Sequence, residues 1–257
     1  MGTHMPLRFK ASLIHLALSI LLVSTVVGIA LLVWYPGLYF TAMGISKILF
    51  IVAGVDVILG PLLTLIIFNP AKASLKFDLA VIALLQLGAL SYGVSTVFDG
   101  RPLFVVYNLD RFTVVSGSDI PADELARAGK LDLPLTGPKI VGARLPKDKQ
   151  EQSRILLSSV GGGADLPQMP AYYLPYATVA DDVKAKILSS EALIAHQSPA
   201  RAADAQAVIA ASLAESGLKP TEIGFIPLRA KAQDLTVMVS RADAAFVKIL
   251  ALDPWGS

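Results

Sequence analysis

The sequence predicts a membrane protein in which three N-terminal transmembrane α-helices are followed by one α+β extracytoplasmic domain. Three observations predict it. The 257-residue chain has a mean hydropathy of +0.61 with only 16% charged residues, well below the roughly 25% of a soluble domain. Three apolar runs of helix-spanning length fill the chain up to about Phe98. After Asp99 no such run recurs, and short strand and helix patterns replace them. With 54% hydrophobic but only 7% aromatic residues, the apolar content is mostly aliphatic, as membrane helices are. A net charge of +2, from 22 Lys and Arg against 20 Asp and Glu, gives no basic face for nucleic acid. The absence of cysteine excludes disulfides, thiolate metal sites and a cysteine nucleophile.

Met1-Gly2-Thr3-His4 reads as a cloning remnant ahead of a native start at Met5, so His4 is not a ligand. The first span covers residues 11–35, where the only polar side chains are Ser12, His15, Ser19, Ser24 and Thr25. It exceeds the roughly 20 residues needed to cross the hydrocarbon layer. A cleavable signal peptide is the rival reading, since Arg8 and Lys10 give a positive start, but the run is too long and lacks an Ala-x-Ala-like end. Trp34-Tyr-Pro-Gly-Leu-Tyr-Phe40 combines a turn with aromatics, as expected at the lipid headgroups. The second span covers 48–68, with Lys47 at its start and Asn69-Pro70 as its stop, and the third covers 77–98, closed by Asp99-Gly-Arg-Pro102. Arg8, Lys10, Lys72 and Lys76 share one side, while the 34–40 loop has no positive charge, so the positive-inside rule puts the amino terminus in the cytoplasm. Residues 5–98 are expected to form the membrane domain and 99–257 an exported one, which in a two-membrane bacterium is periplasmic.

Asp56 stands near the middle of the second span, where a carboxyl costs about 2.5–3.5 kcal/mol on insertion scales. At 1.5 Å per residue it lies about 18 Å from Phe68, and Gln86 lies about 14 Å from Phe77. Ser24 and Thr25 fall at similar depth. Three readings stay open for Asp56: internal satisfaction by Gln86 or those hydroxyls, contact with a partner helix, and ion or proton translocation. Pro61 has no amide donor and in α register frees the carbonyl of Val57, which predicts a kink one turn from Asp56. His15 reads as an interfacial residue rather than a metal ligand.

In the exported domain, Phe104–Tyr107 and Phe112–Val115 flank Asn108-Leu-Asp-Arg111 as a hairpin. A short helix over 121–127 stops at Gly129, a strand is expected over 139–145, and a helix over 149–160 ends at Gly161-Gly-Gly163, read as a flexible linker. An irregular loop follows, with Pro167, Pro170 and Pro175 among Tyr172, Tyr173 and Tyr176; these tyrosines form either an aromatic contact surface or a locally packed loop. Thr178-Val-Ala-Asp181 predicts a capped helix through His196, and Ser198-Pro199 a second one to Glu215. Residues 224–228, 235–239 and 245–250 read as closing strands. The triple glycine lacks the setting of a phosphate loop, no metal-ligand spacing occurs, and Asp181-Asp182 diverge on a helix as capping residues. The expected catalytic residues, metal and cofactor are therefore none.

Asp56-Val-Ile-Leu-Gly-Pro-Leu-Leu-Thr64, Phe68-Asn-Pro-x-Lys-x-Ser-Leu-Lys-Phe-Asp-Leu79, Gln86, Ser91-Tyr-Gly93 and Arg101-Pro102 through Asp110-Arg-Phe112 together resemble the type IV pilin accessory proteins of the TfpX/TfpZ kind. The likeness is dense over 45–115, is similar in character over 234–255, and is positional over 116–233. It implies a non-enzymatic inner-membrane protein that supports pilin levels and pilus assembly. Pilins enter the membrane as one apolar helix with an acid near the mature amino terminus. The implied partners are thus a major type IV pilin and membrane lipid, with no nucleic acid. The resemblance does not settle the mechanism; the polar layer of the spans itself suggests Asp56, Gln86, Ser24, Thr25 and Pro61 as membrane contacts, with Asp56 accepting from an amine or amide, or bonding when protonated. An immunity protein that blocks a periplasmic toxin is the competing function; a sensor or a transporter resting on Asp56 alone ranks below it.

Overall fold

A computed structural model of the protein describes residues 6–256; the expected remnant and Met5 lie outside them. It divides into two compact units, one made of the chain up to Pro36 with Ile45–Asp99, the other of Gly37–Gly44 with Gly100 onward.

In the first unit, the helices Leu7–Trp34, Ser46–Ile67 and Leu75–Asp99 are each long and apolar enough to cross a membrane. Their exposed positions are large and aliphatic or aromatic, among them Leu18, Leu21, Leu32, Phe50, Ile51 and Leu84, a surface suited to acyl chains rather than water. The buried residues of the third helix, Ile82, Gln86, Leu90, Gly93 and Val97, recur every three or four positions and define one stripe facing the bundle. Two stretches widen from the α register to bonds reaching five residues back, Ala30–Trp34 and Gly54–Leu59. Such π-type bulges are concentrated at functional positions. At the end of the first helix the Tyr35 hydroxyl donates to the Val97 carbonyl at 2.7 Å, and Trp34 meets Phe98 edge to face.

The second unit is built on a seven-stranded mixed sheet in the order β4-β3-β1-β2-β5-β6-β7. Its strands are β1 Pro102–Asn108, β2 Arg111–Ser116, β3 Lys139–Ala143, β4 Tyr173–Pro175, β5 Ile223–Arg229, β6 Leu235–Ser240 and β7 Phe246–Leu250. β1 and β2 form the expected antiparallel hairpin, with Asn108 opposite Arg111. β1 runs parallel to β3, and β2 runs parallel to β5. Every residue of β1 is buried, as befits a central strand covered on both faces. One apolar core gathers Leu103, Phe104, Val106, Val115, Ile155, Leu166 and Met169, against which the helix Lys149–Val160 packs through Ile155. A second gathers Leu193, Ala205, Ile209, Phe225, Met238 and Leu250 under the helix Pro199–Ser216.

Several local expectations change in this context. The predicted helix through His196 is broken into Ala180–Lys184 and Ser190–Ala195. Between them Leu188 exchanges two backbone bonds with Phe225, at 2.9 and 3.0 Å, so pairing with the sheet interrupts the helix. Thr178 does not cap; its hydroxyl donates to the Pro175 carbonyl, and Ser189 caps the second piece instead. Asp181 and Asp182 sit in the first turn but spend their side chains on Lys184 and Arg144. Ser198 makes no side-chain cap, although Pro199 does open the long helix and Gly217 ends it at φ 68°. The loop expected after Pro170 contributes β4, held antiparallel to β3. The triple glycine is a tied turn rather than a linker, with the Gly163 amide donating to Ser158 and the Ser158 hydroxyl to Ala164.

The segment Gly37–Gly44 joins the second unit through the β5–β6 connection. The Ala42 carbonyl accepts from the amides of Ala232 and Gln233 at 2.8 and 3.3 Å. Tyr39, Ala42 and Met43 are buried.

Candidate functional site

The buried polar centre of the membrane helices is a pair, Asp56 and Gln86, 4% and 9% exposed. Gln86 Nε2 donates to Asp56 Oδ1 at 3.4 Å and to the Asp56 carbonyl at 3.3 Å. The second contact has a backbone cause. Within the widened stretch the Gly60 amide donates to the Val55 carbonyl, five residues back. Continued by one residue, that register requires an amide on residue 61 to reach the carbonyl of Asp56, and Pro61 has none. The carbonyl of Asp56 is therefore left open by that register, and Gln86 answers it. Gly60 makes room for this, because a Cβ there would overlap the Gln86 amide.

The pair is incompletely satisfied. Asp56 Oδ2 and Gln86 Oε1 are both buried and have no hydrogen-bond partner among the described residues. An unmade bond at such depth is costly, since neither lipid nor bulk water replaces it. Asp56 also borders a groove of about 280 Å³ between the second and third helices, lined by Ile48, Ile51, Val55, Ala89, Gly93 and Thr96 among others.

Ser24 and Thr25 do not join this centre. Both are exposed on the first helix, and Thr25 bonds back to the Leu21 carbonyl at 2.8 Å. The first helix meets the second through other polar residues. Ser12 Oγ donates to the Pro61 carbonyl at 2.9 Å, His15 Nδ1 and Thr64 Oγ1 share a bond of 2.7 Å, and Ser19 is buried. His15, expected at the interface with lipid headgroups, is thus a packing residue of the bundle. Azimuth would have found this set: at about 100° per residue, Ser12, His15 and Ser19 fall on one face with buried Val23, while Ser24 and Thr25 turn away.

In the second unit the three tyrosines direct their hydroxyls inward. Tyr173 donates to the Pro167 carbonyl at 2.5 Å and lies edge to face on Phe104. Tyr176 donates to the Ala244 carbonyl at 2.6 Å, and burial pushes its hydroxyl up to about 12. Tyr172 donates to Glu151 and accepts from Arg154 at 3.2 Å. This is the packed-loop arrangement rather than an open aromatic surface. Among the described residues no group of three or more His, Asp or Glu side chains converges to hold a metal.

Comparison with known proteins places relatives along most of this chain. It is 32% identical over 225 residues to the "Fimbrial assembly protein, serogroup I" of Dichelobacter nodosus, covering 85% of each chain. It is 31% identical over 223 residues to the serogroup E1 protein of the same organism, again with 85% of each covered. A shorter protein, named for serogroups C1 and C2, is 40% identical over 121 residues, 92% of its own length and 46% of this one. No family model matches the chain. No solved structure matches it.

Proposed function

This chain belongs to the family of the fimbrial assembly proteins, and on that premise we propose that it is an inner-membrane accessory protein of a type IV pilus, of the TfpX/TfpZ kind, which binds and stabilises the major pilin without catalysis. The observation that carries the reading is the extent of the relationship. At 85% coverage, both alignments run through apolar helices and sheet domain of this chain, so the comparison concerns more than one part of it. In the proposed topology the amino terminus and the 69–74 loop face the cytoplasm, following Arg8, Lys10, Lys72 and Lys76, and the sheet domain lies in the periplasm. The membrane helices then meet the apolar helix of a pilin before it leaves the bilayer, and the sheet domain meets its head.

The test is purification of the protein from its native membrane in mild detergent, with a parallel blot for major pilin in a strain lacking the gene. The expected result is pilin captured with the protein and depleted in the deletion strain. Unchanged pilin, with a secreted toxin bound instead, replaces this reading by immunity.

A further inference from the structure

The groove beside Asp56 has apolar walls and one unfinished polar floor. Ile48, Ile51, Val52 and Val55 form one wall, and Ala89, Tyr92, Gly93 and Thr96 line the other. Gly93 lets the second helix approach, since a Cβ there would meet Val52. The Thr96 hydroxyl is already spent on the Tyr92 carbonyl at 2.8 Å. What remains at the base is Asp56, 4% exposed, with Oδ2 unpartnered, and behind it Gln86 with Oε1 unpartnered. Lipid chains would fill the walls but satisfy neither oxygen. With Asp56 ionised the unmet atoms are both acceptors, so a carbonyl or carboxylate would meet like against like, whereas an N–H donor or an ammonium group completes the pair.

We propose that this groove is the docking seam for a single apolar helix of a partner protein that presents an ammonium or amide N–H donor at mid-membrane depth to Asp56. The inference deepens the proposed function by giving its membrane contact a place and a chemistry, and it sets Ser24 and Thr25 outside that contact.

Because the chain has no cysteine, single cysteines carrying a benzophenone probe report each face separately in the full-length protein. Ile51→Cys and Thr96→Cys sit on the groove, and Leu84→Cys is an exposed control away from it. On illumination of native membranes, the groove positions are expected to give an adduct with an apolar helical peptide of another protein, and the control none. Asp56→Asn exchanges an acceptor for a donor at nearly constant size. Together with Asp56→Leu it is expected to cut the adduct about three- to thirtyfold, the worth of one hydrogen bond in a bilayer. Protein level and thermal midpoint in detergent verify that both variants are folded.

Lipid adducts alone, adducts with a second copy of this chain, or an adduct yield unmoved by Asp56→Asn each overturn the inference. If pilin co-purifies but no helical adduct forms, the groove is wrong and the pilin reading stands. If the adduct forms with a helix that is not pilin, the groove stands and the pilin reading fails.

Discussion

Glu124 carries the same predicament as Asp56 in a different solvent. It is 3% exposed, with Oε1 2.7 Å from Arg154 Nη1 and Oε2 lacking a hydrogen-bond partner among the described residues. Arg154 also holds Glu151 at 2.9 Å and Tyr172 at 3.2 Å, which raises its guanidinium further above its ordinary value, Glu124 being the largest cause. Removing only the cation leaves a buried carboxylate uncompensated. Arg154→Ala is therefore expected to destabilise the protein by about 3 kcal/mol, and the double change Glu124→Leu, Arg154→Met to recover most of that loss, because an apolar pair incurs no charge desolvation. Denaturant midpoints of the detergent-solubilised protein decide it; equal loss in the single and double variants would show that packing, not charge, sets the cost. A carboxylate at 124 was visible in the sequence as an ordinary acid in the first turn of a helix. Its burial was not, because the residues that cover it come from the distant segments 149–160 and 169–172.

At the scale of elements, glycines in the widened stretch of the second span have opposite surroundings. A Cβ on Gly60 would run into the Gln86 amide, whereas one on Gly54 meets nothing within 4 Å. Gly60→Ala is expected to displace Gln86 and cost about 1–3 kcal/mol through overpacking. Gly54→Ala is expected to be neutral or to stabilise by up to about 1 kcal/mol through helix propensity. Thermal unfolding of both in one detergent compares them, and equal effects would refute the close packing of Gln86 on Gly60. The sequence located the spans, their stops and Pro61 because hydrophobic length and missing donors are local properties. It did not foresee the five-residue register, which leaves the Asp56 carbonyl open to Gln86. Depth along the span groups Ser24 and Thr25 with Asp56, whereas helix azimuth turns Ser12, His15 and Ser19 toward the bundle.

For the whole molecule, acid is the condition that probes the sheet domain. Asp110 is held below the ordinary carboxylate value by its bond from Arg111, Glu151 by the Tyr172 hydroxyl and then Arg154, and Asp243 by Ser240 and then the Ala245 amide. With folded values below unfolded ones, each contributes stability that is fully present above the ordinary carboxylate range, about pH 3.9–4.3, and is lost as pH falls through it toward the lowered value. The thermal midpoint is expected to be level above about pH 5.5 and to decline below about pH 4.5, less steeply in Glu151→Gln. A midpoint that rises on acidification would contradict the sign.

The amino-acid order by itself determined the three apolar helices, the change of character after Asp99, the β1–β2 hairpin and the long helix opened by Pro199, since each follows from composition or periodicity within one segment. The resemblance to pilus accessory proteins was carried by the same local runs. Only the tertiary structure decided that Gly37–Gly44 belongs with the sheet domain, through Ala42 and the amides of Ala232 and Gln233. It also decided that Leu188 interrupts a helix to pair with Phe225, and that Tyr173–Pro175 serve as a strand. In each case residues far apart in the chain supply the hydrogen bonds, and a backbone donor or acceptor goes to whichever partner is in reach once the chain has folded.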